Sequence, residues 1–146
     1  MKSGESHGTM TVSLREIGLA VKRLQWRHHR EGNARLAEIG LSLPQWDVLR
    51  HAAANPEASG HELAVLTFQS DQAFGTMANR MIAKGLLVRV QGHGRAMHYR
   101  LTPAGEDARR AGAAILDEVM TGSIGQLSPT EQATLHSLLV KATGRL

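Results

Sequence analysis

The chain has 146 residues and a mass of 15.8 kDa, which suits one domain with helical extensions and leaves little room for a two-domain enzyme. Apolar residues make up 42% of it, so we expect a folded core. The absence of cysteine excludes disulfides, cysteine-based zinc sites, iron–sulfur clusters and thiol switches. The apolar stretches are too short to cross a bilayer and the chain starts without a signal-peptide segment, so we expect a cytoplasmic protein with no membrane partner.

The net charge of +4 is concentrated in one part of the chain. Residues 72–105 contain no carboxylate and carry five basic side chains, so this window has a charge of +5 and the rest of the chain has a charge of −1. A continuous basic segment of this kind is typical of a surface that faces phosphates.

Hydrophobic spacing and helix-start signals predict six helices. The pairs Ser42 with Gln45, Ser59 with Glu62 and Ser128 with Glu131 match the capping-box pattern at three of the starts. Gly32 and Asn33 predict a break or bend in the first helix. The predicted helices span residues 14–39, 43–54, 60–67, 71–84, 103–121 and 129–143, after a flexible tail over residues 1–11.

A β-hairpin is predicted between the fourth and fifth helices. Gly85 is suited to end a helix in the left-handed conformation, and the stretches LLVRVQ and AMHYRL alternate as strands do, with a GHG turn before Arg95. The fold class is therefore mainly α with a small β-hairpin wing: a winged helix-turn-helix with long N- and C-terminal helices.

The helix over residues 71–84 is predicted to turn one face inward and one outward. The inward face contains Phe74, Met77, Ala78 and Met81, which we expect to pack against Leu63, Leu66 and Phe68. Short or polar groups remain on the outward face, at the end that enters the major groove of DNA. These are Ser70, Asp71, Gln72, Ala73, Thr76 and Arg80.

Four stretches, in this order and spacing, resemble the MarR family of transcriptional regulators. They are GLSLPQWDVL from residue 40, HELAVLTFQSDQAFGTMANRMIAKGLL from residue 61, RAMHYRLTPAG from residue 95 and LSPTEQATLHSLL from residue 127. The wing departs from the family pattern, because His93 stands where an aspartate is usual and the preceding loop is about two residues shorter.

The resemblance implies a homodimer that reads a palindrome in double-stranded DNA. It implies a dimerisation helix over residues 12–40, a DNA-binding region over 41–102 and C-terminal dimerisation helices over 103–146. The residues independently suggest an interface, because both terminal regions carry apolar faces that a lone winged motif does not need. These faces include Leu14, Ile17, Val21, Leu116, Val119, Leu135, Leu138 and Leu139.

The predicted DNA contacts combine the outward face of the fourth helix with Arg89, His93 and Arg95 of the wing. Two residues keep alternative roles. Arg80 contacts DNA or pairs with Asp71 or Asp47 to brace the motif. Asp71 complements the helix dipole or accepts a hydrogen bond from cytosine.

Eight histidines raise the alternative of a metal-responsive regulator. His28 and His29 are adjacent and point about 100° apart on a helix, so they do not chelate one ion easily. His93 and His98 lie on opposite arms of the hairpin without an evident carboxylate nearby. We therefore predict ordinary histidines, with no metal and no cofactor.

A small-molecule effector is a further expectation from the resemblance, bound between the dimer helices and the winged motif. Trp26, Trp46, Arg50 and His51 would suit an aromatic anion, together with Arg27 and His28. For Trp26 and Trp46 themselves we expect core packing, and the effector cleft is the alternative role.

No phosphate-binding loop or catalytic motif is present, so we do not predict an enzyme. The predicted function is a DNA-binding transcription regulator, most often a repressor in this family. The alternative from another class is a winged-helix protein-interaction module whose basic face binds an acidic protein.

Overall fold

The predicted order of elements is confirmed in a computed structural model, which describes residues 11–92, 94 and 96–144. Within these residues lie six α-helices and one antiparallel hairpin, with short 3-10 turns at Ala37–Ile39 and Ile124–Gln126. Most of the predicted tail, residues 1–10, lies outside the described part. The elements are α1 Leu14–Leu36, α2 Leu43–Ala54, α3 Gly60–Leu66, α4 Asp71–Ala83, β1 Leu87–Gln91, β2 Met97–Leu101, α5 Pro103–Thr121 and α6 Pro129–Thr143.

Each of these helices begins at a serine or threonine whose side chain accepts a backbone N–H of the first turn. The three predicted capping boxes are all formed, and a fourth occurs at Ser13 with Glu16. Because a cap satisfies donors that the helix leaves unpaired, local sequence sets the helix starts.

The predicted break in α1 is wrong, because the helix continues through Gly32 to Leu36. Gly32 is buried, and a Cβ atom there would lie 3.1 Å from Leu116 Cδ2 of α5. The Asn33 side chain accepts a hydrogen bond from the backbone N–H of Leu43 at 2.6 Å. Both residues therefore join α1 to its neighbours, and these tertiary contacts outweigh their poor helix propensity.

The core lies between α2, α3, α4, the hairpin and α5. The Phe74 ring meets the Tyr99 ring edge to face, with 5.4 Å between their centroids. In the hairpin, Arg89 is paired with Tyr99 and Val88 with Arg100, and of these four residues only Tyr99 is buried. The fully buried large side chains are Leu36, Val48, Leu49, Leu63, Phe74, Met81 and Leu87.

Two side chains expected in this core are not there. Phe68 is 88% exposed and Leu66 is 37% exposed, whereas Leu63 is buried as predicted. For Phe68 the reason is that α3 ends at Leu66, so the chain has left helical geometry before Phe68 and the helical spacing no longer applies there.

Helix α5 is joined to the winged region and to α1 by polar contacts. The Trp46 indole N–H donates to the Arg109 carbonyl at 3.0 Å. Glu106 accepts from Arg109 at 2.5 Å and from Arg110 at 3.1 Å, and these guanidinium groups lower the pKa of Glu106 to about 2. Arg35 of α1 pairs with Glu118 of α5 at 2.6 Å.

The terminal helices expose apolar side chains. Helix α6 has no buried residue, and on α1 Leu14 is 87% exposed and Ile17 49% exposed. Two residues expected on these free faces are not available, because Val119 is buried and Leu116 packs on the core within the chain. The free apolar surface therefore belongs mainly to α1 and α6.

No helix within residues 11–92, 94 and 96–144 combines the length and the apolar character needed to span a bilayer.

Candidate nucleic-acid interface

The outward side of α4 forms an open groove of about 430 Å³. Every residue predicted for this side is exposed. Asp71 lies outside the groove lining, and Gln69 and Met77 join it without having been predicted as contacts. The groove is lined by Gln69, Ser70, Gln72, Ala73, Thr76, Met77 and Arg80.

Buried residues on the opposite side of α4 hold this orientation. Phe74, Ala78 and Met81 recur at helical spacing and are at most 2% exposed, so the polar residues between them must point outward. At the start of the helix, the Ser70 hydroxyl accepts the Ala73 N–H at 3.1 Å. The exposed first turn has the partial positive charge of a helix N-terminus, which favours phosphate oxygens.

Asp71 and Arg80 have different surroundings. Asp71 lies 2.8 Å from the ring Nδ1 of His61, so this contact joins α4 to α3, although both side chains are mostly exposed. Arg80 makes no ion pair with any described residue, and Asp47 instead pairs with Arg50 at 2.9 Å. The bracing alternative for Arg80 is therefore not seen, and Arg80 lines the groove.

The described part of the wing adds a second arginine beside α4. Arg89 donates to the side-chain oxygen of Asn79 and to the Tyr99 hydroxyl, and its guanidinium lies 5.7 Å from the Tyr99 ring centre. His93 and Arg95 lie outside the described residues, so their DNA contacts stay predictions.

One histidine of the hairpin has a carboxylate neighbour that was not expected. His98 is buried, and its Nδ1 atom lies 3.7 Å from Glu57 in the turn after α2. Elsewhere His28 Nε2 lies 2.6 Å from the Ser123 hydroxyl, and His29 Nε2 lies 2.9 Å from the Asn33 amide. Among residues 11–92, 94 and 96–144 no three His, Asp or Glu side chains are grouped as metal ligands.

The residues predicted for an effector cleft are only partly brought together. The Arg50 guanidinium lies 5.6 Å from the Trp46 ring centre, and Asp47 is within 4 Å of both Arg50 and His51. Trp46 is half-buried against the core. Trp26 is 59% exposed and stacks on His29, so its expected core packing is wrong for the single chain.

The remaining two predicted cleft residues lie on α1. The Arg27 side chain pairs with Glu31 and donates to the Gly122 carbonyl, and His28 contacts Ser123. Both therefore hold the end of α5 against α1.

A second open groove, of about 450 Å³, runs between α1 and α6 and is mainly apolar. It is separate from the α4 groove and shares no residue with it. Its lining is Ile17, Ala20, Val21, Leu24, Gln25, His28, Ile124, Leu135 and Leu139.

Comparison with known proteins gives one family. Residues 39–96 match the model of the MarR family. No curated protein sequence matches the chain.

Three solved structures illustrate the similarity. A probable transcriptional regulator from Pseudomonas aeruginosa is 26% identical, with 87% of this chain and 96% of that chain covered and a TM-score of 0.75. A mutant of MarR from E. coli, complexed with operator DNA, is 20% identical, with 92% of this chain and 100% of that chain covered and a TM-score of 0.79. A MarR family protein of Mycobacterium tuberculosis, in complex with p-aminosalicylic acid, is 23% identical, with 91% of this chain and 100% of that chain covered and a TM-score of 0.73.

Proposed function

We propose that this chain is a winged helix-turn-helix transcriptional regulator of the MarR family and that it acts as a homodimeric repressor on pseudo-palindromic double-stranded DNA. The family is one of DNA-binding regulators and not of enzymes. The observation that carries the proposal is the exposed groove of α4, where the unpaired Arg80 lies among short polar side chains within the basic part of the chain.

In this proposal α4 enters the major groove and the wing follows the DNA backbone. The MarR mutant from E. coli was solved with operator DNA, which supports the same docking for a chain of this fold. Phosphate contacts supply affinity and the start of α4 supplies sequence choice. The proposed contacts are Ser70, Asp71, Gln72, Ala73, Thr76 and Arg80 on α4, with Arg89, His93 and Arg95 on the wing.

The proposed dimer is formed by the terminal regions, over residues 12–40 and 103–146, and residues 41–102 form the DNA-binding unit of each subunit. Support comes from α1 and α6, whose facing apolar side chains leave an open groove in the single chain. A second copy would cover these side chains and set the spacing of the two α4 helices to that of two half-sites.

We also propose that a small aromatic anion regulates DNA binding, in the cytoplasm where the DNA lies. The M. tuberculosis protein was solved with p-aminosalicylic acid, an aromatic acid. In this chain the stacked Trp46 and Arg50, beside His51, offer an aromatic surface and a cation. Trp26 is 59% exposed and stacks on His29 of α1, so a cleft that includes it would be completed by the dimer.

The proposal is tested by measuring DNA affinity against salt. The probe is a duplex enriched from random DNA by the full-length protein. With about six phosphate contacts per dimer, the slope of log affinity against log salt should be near −5. Arg80→Ala should weaken binding at least tenfold, whereas Arg30→Ala, which removes an exposed arginine of α1, should leave it unchanged. Failure to enrich any sequence, or tighter binding to an acidic protein than to DNA, would contradict the regulator function.

A further inference from the structure

Three helical segments of this chain end with the same backbone geometry. In each, the backbone N–H of a residue with a positive φ donates a hydrogen bond to the carbonyl three residues earlier. The N–H of the next residue donates to the carbonyl five residues before it. The three positive-φ residues are Gly40 (φ 76°) before α2, Gly85 (φ 79°) after α4 and Phe68 (φ 56°) after α3. Within the described part of the chain, Phe68 is the only residue other than glycine with a positive φ.

Phenylalanine is a poor choice for this conformation. An L side chain at positive φ meets the neighbouring carbonyl, which is why glycine is preferred at this place in the motif. Both hydrogen bonds of the turn are nevertheless formed. The Phe68 N–H donates to the Val65 carbonyl, with 3.1 Å between N and O, and the Gln69 N–H donates to the Ala64 carbonyl, with 2.8 Å between N and O. The backbone therefore keeps a geometry that a glycine would adopt with less strain.

The fold makes no use of the Phe68 ring. The ring is 88% exposed, and the following Gln69 is polar, whereas Leu41 and Leu86, which follow the two glycines, pack in or against the core. A strained backbone and an exposed aromatic ring at one residue are typical of a residue retained for binding.

Phe68 directly precedes in sequence the first residue that lines the α4 groove. It comes two residues before Ser70, the N-cap of α4, and the intervening Gln69 lines the groove together with Ser70. The start of α4 is the part that the proposed function places at the base edges. A ring on the preceding turn therefore lies beside the outermost bases that α4 reads.

We propose that Phe68 is a specificity-determining residue that contacts the 5-methyl group of a thymine beside the start of α4. This inference rests on the proposed function. A phenyl ring forms no conventional hydrogen bond, and the thymine methyl is the apolar group that a base edge presents in the major groove. Phe68 thus selects thymine at one position in each half-site.

The experiment replaces each thymine of the selected duplex in turn by deoxyuridine, which removes only the methyl group. Affinities are measured by fluorescence anisotropy for the full-length wild type, Phe68→Ala and Phe68→Gly. Val65→Ala is the matched control, because Val65 is an exposed apolar residue on the neighbouring helix. Thermal unfolding without DNA is recorded for every variant.

For the wild type we expect one thymine per half-site whose replacement weakens binding about fourfold, the factor that burial of one methylene group brings. Both Phe68 variants should bind the unmodified duplex more weakly and should show no such position, and Val65→Ala should retain it. Phe68→Gly should unfold at a higher temperature than Phe68→Ala, because glycine relieves the positive φ. Its weaker binding would then not reflect poor folding.

Several outcomes would overturn the inference. One is the same thymine profile for the wild type and Phe68→Ala. Another is an equal loss of affinity by the Phe68 variants on selected and random DNA, which would mean a backbone contact. Unchanged DNA binding with loss of a protein partner would mean a docking surface. None of these affects the proposed function, which fails if the wild type selects no sequence or binds an acidic protein more tightly than DNA.

Discussion

The winged region and the terminal helices use their apolar residues in different ways. All but one of the fully buried large side chains lie within residues 41–102, the exception being Leu36 at the end of α1. In contrast, α6 has no buried residue and α1 buries only Gly32 and Leu36. The winged region thus has a core of its own, whereas α1 and α6 carry apolar surface that the described part of the chain leaves exposed.

The largest expected effect is on the core of the winged region. Phe74→Ala removes a buried ring that packs against Tyr99, and should lower the free energy of unfolding by about 3–5 kcal/mol. Urea unfolding followed by circular dichroism measures this. Val140→Ala, at an exposed position of α6, is the control and should change stability by less than about 0.5 kcal/mol. Similar losses for the two variants would mean that the regions do not differ as described.

The second prediction concerns the apolar groove of the terminal helices. Ile17→Glu places a charge among apolar side chains, so association should be lost because burial of an unpaired charge is costly. Sedimentation at micromolar concentration should show a 15.8 kDa species in place of one twice as heavy. The control, Lys22→Glu, adds the same side chain to α1 outside the groove lining. A wild type that sediments as a monomer would contradict the dimer.

The third prediction compares the two tryptophans. Trp46→Phe removes the hydrogen bond to the Arg109 carbonyl and should lower the free energy of unfolding by about 1 kcal/mol. Trp26→Phe should have a smaller effect, because its ring is 59% exposed and is stacked only on His29. Thermal unfolding of both variants at one protein concentration gives the comparison. A larger loss of stability for Trp26→Phe than for Trp46→Phe would mean that Trp26 is covered in an interface.

The smallest expected effect is a pH dependence at α5. The pKa of Glu106 is lowered from 4.5 to about 2 in the folded chain, so its contribution to stability is complete above pH 4.5 and is lost as the pH falls toward 2. The stability difference between the wild type and Glu106→Gln should therefore shrink below pH 4.5. Urea midpoints at pH 6, 4 and 3 test this, and 1 M salt should reduce the difference at pH 6. A difference that does not change with pH would contradict the ionic contribution.

Helix and strand boundaries could be predicted because their causes are local. A serine with Glu or Gln three residues later starts a helix at Ser42, Ser59 and Ser128. The same pattern occurs at Ser13, directly before the start of α1 at Leu14 that hydrophobic spacing predicted. The outward face of α4 followed from the spacing of Phe74, Ala78 and Met81. Such signals act within one helical turn, so no knowledge of the tertiary structure is needed.

The errors have causes that a single segment does not contain. Gly32 was expected to break α1 from its low helix propensity. The residue that it packs against, Leu116, is 84 residues away, so this contact is not visible in the local sequence. Phe68 was placed in the core because hydrophobic spacing does not show that α3 ends two residues earlier. The contact of His98 with Glu57 depends on how the hairpin lies against the turn after α2. Each required the three-dimensional arrangement of distant segments.

The contacts of Arg89 have a consequence for the entropy of DNA binding. Its side chain is already ordered by Asn79 and Tyr99 before any DNA is present. Ordering a long, free side chain on binding costs about 0.5–1.5 kcal/mol, and much of this cost is avoided at Arg89. Arg80, which has no such side-chain partner among the described residues, must be ordered when it binds. We therefore expect a phosphate contact from Arg89 to be less entropically unfavourable than one from Arg80, even though each neutralises one charge.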